Sequence, residues 1–134
     1  MKKIDHIGIA VNDIDASILR YQKLLNVVCD KIEEVESEQV KTAFFAIGES
    51  KIELLGATSP ESTVAKFLSK KSEGIHHIAF EVEDIYKEME RLKAEGFTAL
   101  SETPKKGADN KLICFFHPKD TNGVLIEICQ SIQQ

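Results

Sequence analysis

The hydrophobic and polar positions of this chain follow two alternating patterns, one with a period of two residues and one with a helical period. The first segment, residues 3–11, alternates and is rich in β-branched residues, which predicts a strand. Because side chains alternate across a strand, this segment is expected to present two different faces. One face carries His6, Gly8 and Ala10, and the other carries Ile7, Ile9 and Val11.

The same patterns predict the other elements along the chain. Apolar residues at helical spacing favour helices at 14–25, from 63 to about 69 and after Asp84, with Asn12-Asp13, Ser62 and Asp84 as N-caps. Strands are predicted at 27–35, 40–47, 51–55, 75–82, 97–100, 111–117 and 124–129. Residues 102–110 contain Pro104 and Gly107 and are predicted to form a loop.

The chain repeats itself. The segment that begins at His6, HIGIAVNDI, recurs from His77 as HIAFEVEDI, and Phe44-Phe45 recurs at the same offset as Phe115-Phe116. The segment KIEL, which contains Glu53, returns three positions late as LIEI, which contains Glu127, and the turn at 117–123 can absorb the extra residues. We therefore predict one domain of two βαβββ modules, at about 1–57 and about 74–134, with a linker and short helix at about 58–73.

The repeat also predicts the fold class. Four strands cannot bury both of their faces within one module, so the two modules are expected to pair. The predicted fold is an α+β structure in which both modules form one curved eight-stranded sheet around a metal site.

Composition narrows the functions that this fold can serve. The chain has 134 residues, of which 43% are hydrophobic and 29% charged, and this balance is typical of a soluble globular protein. The net charge of −5 disfavours sequence-independent binding to nucleic acid, and no apolar run could cross a membrane. An acid at Asp5 comes too early for a secretory signal, and three scattered cysteines suit the reducing cytoplasm.

Four lysines lie in or near the loops of the second module, and the sequence leaves two interpretations of their role open. They lie either on a solvated surface or at an anion-binding site, and they are Lys105, Lys106, Lys111 and Lys119. His76 and His117 are predicted to have structural roles, because His76 points away from the face of His77 and His117 precedes Pro118 in a turn.

The repeated polar residues predict a metal site. Related by the internal two-fold, they fall on equivalent inward positions, and they are His6, Glu53, His77 and Glu127. A single histidine on an apolar strand is usually structural, but a duplicated histidine followed by a duplicated glutamate favours metal ligation. Two imidazoles and two carboxylates suit Co²⁺, Mn²⁺, Ni²⁺, Zn²⁺ or Fe²⁺. Two buried carboxylates would also be costly without a cation between them.

Five segments resemble the vicinal oxygen chelate superfamily, which includes glyoxalases, bleomycin resistance proteins and dioxygenases. They are DHIGIAV (5–11), KIELL (51–55), STVAKFL (62–68), GIHHIA (74–79) and HPKD through GVLIE (117–127). The last three are more particular and resemble the methylmalonyl-CoA epimerases. The resemblance implies a metal held by the four residues named above, an acyl-CoA thioester as substrate and a homodimer.

The resemblance leaves two other functions open. Glyoxalase I, the lactoylglutathione lyase, also uses four ligands and would act on the hemithioacetal of glutathione and methylglyoxal. A binding module without catalysis is disfavoured, because such a module has no need of a complete metal site.

The epimerase mechanism needs a base on each face of the substrate's α-carbon. The expected bases are Glu127 and either Glu53 or another nearby acid. Some epimerases carry a separate glutamate on the third strand, but segment 41–44 of this chain, KTAF, contains no acid.

Overall fold

The computed structural model describes residues 1–132 of the chain. Within this range there are three helices, α1 (Ile14–Leu25), α2 (Thr63–Lys71) and α3 (Ile85–Ala94). The same range contains eight strands, β1 (Lys3–Ala10), β2 (Lys31–Val35), β3 (Val40–Ile47), β4 (Ser50–Ala57), β5 (Gly74–Glu81), β6 (Lys105–Lys106), β7 (Lys111–Phe116) and β8 (Ile126–Ser131). None of the helices in the described residues has the length and apolarity that a membrane crossing requires.

Each helix begins at a side-chain cap that the sequence predicted. The Asp13 carboxylate accepts a hydrogen bond from the Ala16 amide, the Ser62 hydroxyl from the Ala65 amide, and the Asp84 carboxylate from the Lys87 amide. These bonds satisfy amides that have no partner inside the helix. The bounds of α1 and β3 agree with the prediction.

The eight strands belong to one sheet with the order β2-β3-β4-β1-β5-β8-β7-β6. This arrangement confirms the predicted α+β fold with an eight-stranded sheet. By its internal contacts the chain divides into two compact units, which we describe separately. The central unit is Ile7–His76, and the terminal unit combines Met1–His6 with the chain from His77 onward.

The central unit is built on the hairpin of β3 and β4. Glu53 on β4 lies opposite Phe44 on β3 in the antiparallel register. Helix α1 covers one group of buried residues, which includes Ala43, Phe45 and Leu54. A second apolar cluster contains Ala10, Val40, Leu55 and Val64, the last of which lies on α2.

The terminal unit repeats this hairpin with β7 and β8. Glu127 on β8 lies opposite Phe115 on β7, in the same relation as Glu53 and Phe44. On its other side β8 runs parallel to β5, with Glu127 paired to Ala79. Helix α3 packs its buried residues onto this sheet, and the side chain of Gln130 on β8 accepts a hydrogen bond from the first amide of α3, at Ile85.

Two of the predicted strands differ clearly from the observed ones, and the bounds of several others shift by one or two residues. Segment 97–100 was predicted as a strand, but it makes only one isolated bridge, between Ala99 and Phe116. A turn follows directly, in which the Ser101 hydroxyl donates to the Thr103 carbonyl, so the ladder is not extended. The strand of this region is instead the two-residue β6, inside the segment predicted as a loop. In addition, β2 begins at Lys31 and is shorter than predicted.

Candidate metal centre

Two histidines from neighbouring strands of the terminal unit meet in its interior. His6 lies on β1 and His77 on β5, and the amide of Lys2 donates to the Glu81 carbonyl between these strands. Both residues are 4% exposed. Their Nε2 atoms are 3.0 Å apart, and the rings are nearly perpendicular at 86°. The two Nε2 atoms therefore point at a common position.

The carboxylate of Glu127 completes this group, which we call the His–Glu cluster (His6, His77 and Glu127). Oε1 of Glu127 lies 3.2 Å from Nε2 of His77, and Oε2 lies 3.7 Å from Nε2 of His6. Phe115, opposite Glu127 on β7, places its ring edge-to-face with the His77 ring at 5.3 Å between centroids. The hairpin register that presents Glu127 therefore also supplies the aromatic ring that packs against His77.

The electrostatics of the cluster favour an ionised glutamate. Burial raises the pKa of the Glu127 carboxyl. When protonated, the His6 and His77 rings donate hydrogen bonds to this carboxylate and attract it electrostatically, and both effects oppose burial and lower its pKa to about 2. Glu127 is therefore a carboxylate at neutral pH, even though it is enclosed by protein.

The donor set and its spacing fit a divalent metal ion. One ligand atom from each of His6, His77 and Glu127 can be chosen so that all lie within 4.8 Å of one another. Ligand atoms at about 2.1 Å from one ion are roughly 3.0 Å apart at a right angle and roughly 3.4 Å apart at the tetrahedral angle. The separations in the His–Glu cluster, 3.0, 3.2 and 3.7 Å, lie around these values. Small movements of the side chains would therefore suffice to bind an ion such as Zn²⁺ or Co²⁺.

Glu53, the fourth residue of the predicted site, belongs to the central unit. It is buried on β4 and 4% exposed, and it lies opposite Phe44. The structure thus brings three of the four predicted residues together within the terminal unit. It places the fourth at the equivalent register position of the other hairpin.

An aspartate and a lysine that the sequence did not assign to the site adjoin His6. Oδ2 of Asp5 lies 2.7 Å from Nδ1 of His6, and Oδ1 of Asp5 accepts a hydrogen bond from Nζ of Lys111 at 2.8 Å. Asp5 is 2% and Lys111 7% exposed. Surface solvation, one of the two interpretations left open for this lysine, is therefore wrong.

The contact between Asp5 and Lys111 could not be predicted from the sequence. Strict alternation predicts that Asp5 and His6 point to opposite faces, yet both are buried. Lys111 lies 106 positions away from Asp5 along the chain, so only the tertiary structure shows this contact. An acid next to a candidate ligand on an otherwise mostly apolar strand was the one available hint.

The other two histidines take structural positions. The His76 ring packs edge-on against Phe67 of α2 at 5.0 Å between centroids. His117 caps a short 3₁₀ turn, because its Nδ1 accepts a hydrogen bond from the Lys119 amide. The turn role predicted for His117 is confirmed.

A family model, relatives of known sequence and solved structures all relate this chain to the same superfamily. Residues 5–115 match the Glyoxalase/Bleomycin resistance protein/Dioxygenase superfamily. The chain is 39% identical to the ethylmalonyl-CoA/methylmalonyl-CoA epimerase of Cereibacter sphaeroides, over 96% of this chain and 97% of the relative. Among solved structures, a hypothetical protein of Bacillus halodurans is 42% identical, with a TM-score of 0.94 over 98% of this chain and 96% of that one. A variant of Streptomyces coelicolor methylmalonyl-CoA epimerase, in complex with 2-nitronate-propionyl-CoA, is 35% identical, with a TM-score of 0.95 over 99% of each chain.

Proposed function

Because the chain belongs to the Glyoxalase/Bleomycin resistance protein/Dioxygenase superfamily, and epimerases of that superfamily align with nearly all of it, we propose that it is a metal-dependent methylmalonyl-CoA epimerase. The observation that carries the proposal is the buried His–Glu cluster, in which two imidazole nitrogens and a carboxylate oxygen lie close enough together to bind one divalent ion. We propose that Glu53 is the fourth ligand, since it occupies in its hairpin the register position that Glu127 occupies in the other.

The proposed reaction moves a proton from one face of a carbon to the other. The α-carbon of a malonyl thioester lies between two carbonyl carbons, and its proton is too weakly acidic for a carboxylate alone. A bound divalent cation would supply electrostatic stabilisation of the negative charge that develops on the thioester oxygen. The residues of the chain must then remove the proton, hold the planar intermediate and return a proton to the opposite face.

Glu127 is our candidate for one of the two bases. It is ionised at neutral pH, as a base must be before it accepts a proton, and it is enclosed by protein. A carboxylate with a low pKa is also a weak base. Proton transfer to Glu127 therefore requires a substrate whose α-proton is strongly acidified at this site.

Glu53 is our candidate for the second base. Bases related by the internal two-fold of the repeat would suit a reaction that must address both faces of a planar carbon. Segment 41–44 carries Thr42 and no acid, and Thr42 is buried. Within β3 and β4 Glu53 is therefore the buried carboxylate available for this role among the described residues. The resemblance also implies a homodimer, which a mass measurement at low concentration would test.

The experiment that tests the function is a solvent-exchange assay. Protein freed of metal with a chelator and reloaded with Co²⁺ is incubated with methylmalonyl-CoA in deuterium oxide. We expect the α-proton signal of the thioester to disappear with the loaded protein and to persist with the metal-free protein.

Two controls make this assay specific. Loss of the hemithioacetal of glutathione and methylglyoxal in place of α-proton exchange would assign the protein to the lactoylglutathione lyase reaction and overturn the proposal. A His77→Ala variant should lose both the bound Co²⁺, measured by elemental analysis, and the exchange. Exchange that survives without metal would show that the His–Glu cluster is not the catalytic site.

A further inference from the structure

The contacts of His6 extend beyond the His–Glu cluster, into a line of three buried side chains. Lys111 donates from Nζ to Oδ1 of Asp5 at 2.8 Å, and the other oxygen of Asp5, Oδ2, lies 2.7 Å from Nδ1 of His6. A lysine ammonium only donates hydrogen bonds and a carboxylate only accepts them. The direction of both bonds is therefore fixed by the chemistry of the three groups.

The direction of these bonds decides which nitrogen of His6 carries the hydrogen. Because Oδ2 of Asp5 accepts, Nδ1 of His6 must donate, and the hydrogen of the neutral ring is on Nδ1. The lone pair of the ring is then on Nε2, the atom that faces His77 and Glu127. This is the tautomer that a metal ligand bound through Nε2 requires.

We propose that Asp5 and Lys111 are positioning residues of the metal centre, which hold His6 in its metal-binding tautomer and orientation. The inference rests on the proposed metal site and adds to it two residues that act through His6. Lys111 has a defined part in the arrangement, because it donates to one oxygen of Asp5 while Nδ1 of His6 lies at the other. A carboxylate behind a ligating histidine commonly orients the ring and strengthens metal binding.

An amide in place of Asp5 gives a sharp test, since it has one accepting and one donating end. In Asp5→Asn, Lys111 still requires the amide oxygen, so the amide NH₂ group must face Nδ1 of His6. The NH₂ group donates, and His6 is expected to switch its hydrogen to Nε2. A hydrogen on Nε2 opposes metal binding, so the Co²⁺ dissociation constant should rise about 10- to 100-fold.

Removal of Lys111 in the same variant should partly reverse the effect. In Asp5→Asn with Lys111→Met, the amide is no longer held by a lysine and can rotate so that its oxygen accepts from Nδ1 of His6. We expect the double variant to bind Co²⁺ more tightly than Asp5→Asn does. A role in folding alone predicts the opposite, because two lost polar partners should be worse than one.

Two measurements decide the proposal. Long-range ¹H–¹⁵N correlation spectra of the metal-free protein at about pH 8 report the tautomer of the His6 ring, since a neutral imidazole shows different shifts for its protonated and unprotonated nitrogens. Competition with a chromophoric chelator reports the Co²⁺ dissociation constant. Asp84→Asn is the matched control, because Asp84 caps α3 in the same unit and the substitution is the same.

The proposal is supported if the wild type has the hydrogen on Nδ1, Asp5→Asn moves it to Nε2 and weakens Co²⁺ binding, and the double variant regains affinity. It is overturned if the wild-type hydrogen is on Nε2, if Asp5→Asn binds Co²⁺ within about twofold of the wild type, or if Asp84→Asn weakens binding equally. A wild type that binds no Co²⁺ would instead overturn the proposed function. The tautomer of metal-free His6 would still test the role of Asp5 by itself.

Discussion

His6 and His77 occupy equivalent positions of the internal repeat, 71 residues apart, yet their surroundings have diverged. The residue before His6 is Asp5, which is buried and bonded to Lys111. The residue before His77 is His76, whose ring packs against Phe67. The position that corresponds to Lys111 in the first copy is Val40, in an apolar cluster. The two copies thus present similar ligands, and a charged pair lies behind only His6 of the two.

The two hairpins have diverged less than the histidine neighbours. Glu53 faces Phe44 and Glu127 faces Phe115 in the same antiparallel register. The three additional positions of the second copy lie in the turn after β7, where a 3₁₀ turn at Pro118–Asp120 replaces the tight turn at Gly48. The strands can therefore keep equivalent glutamates while the connections vary. Comparison of the two copies leads to three predictions, ordered from the largest expected effect to the smallest.

The first prediction separates the two glutamates. Glu127→Gln should lower the rate of α-proton exchange by about 10²- to 10⁴-fold, because the amide cannot act as a base. Glu53→Gln should have a smaller effect on exchange, because Glu127 can still exchange the α-proton on its own face and an amide oxygen can still bind a metal ion. The exchange assay in deuterium oxide measures both variants, with bound Co²⁺ determined in parallel. A larger loss for Glu53→Gln would mean that the two copies have the opposite division of labour.

The sequence predicted the repeat-based features of this molecule and missed those that depend on one copy alone. The helices, their caps, the eight-stranded sheet and the convergence of His6, His77 and Glu127 follow from periodicity and self-similarity, which local patterns can show. The superfamily, the epimerase resemblance and the enzyme class are confirmed by the relatives. The metal, the ligand role of Glu53, the homodimer and the cytoplasmic location stay predictions.

The features missed from the sequence have physical reasons. Segment 97–100 does not form a strand, because the turn after Leu100 prevents further pairing with β7. Strand β6 has only two residues, so no period can be seen in its sequence. The Asp5–Lys111 contact joins two ends of the chain, and each residue alone is typical of a surface. Charged residues become buried only when a partner compensates the cost, and the identity of the partner depends on the tertiary structure.

The second prediction concerns acid stability and applies to Glu127. Its pKa of about 2 in the folded protein lies below the usual value of 4.5, so ionised Glu127 stabilises the fold. This contribution is fully present above about pH 4.5 and is lost as the pH falls towards 2. Its size is on the order of 3 kcal/mol, from 1.36 kcal/mol per pKa unit.

Urea unfolding of the metal-free wild type and of Glu127→Gln between about pH 2.5 and 7 measures this contribution. The difference in the free energy of unfolding between the two proteins should be largest at neutral pH and should shrink towards acid. A difference that stays constant with pH would show that the carboxylate is not held ionised by His6 and His77. In that case Glu127 would lack the low pKa that its contacts in the His–Glu cluster predict.

The third and smallest effect is expected at His76, the counterpart of Asp5. His76→Ala removes an edge-on contact with Phe67 and should lower the free energy of unfolding by about 1 kcal/mol. It should leave the Co²⁺ dissociation constant within about twofold of the wild type, whereas Asp5→Asn should change it by at least about tenfold. Chelator competition and urea unfolding on the same samples separate the two effects. If His76→Ala weakened Co²⁺ binding as strongly as Asp5→Asn, both histidines would depend on the residue before them. Positioning by the preceding residue would then be common to both copies and not particular to His6.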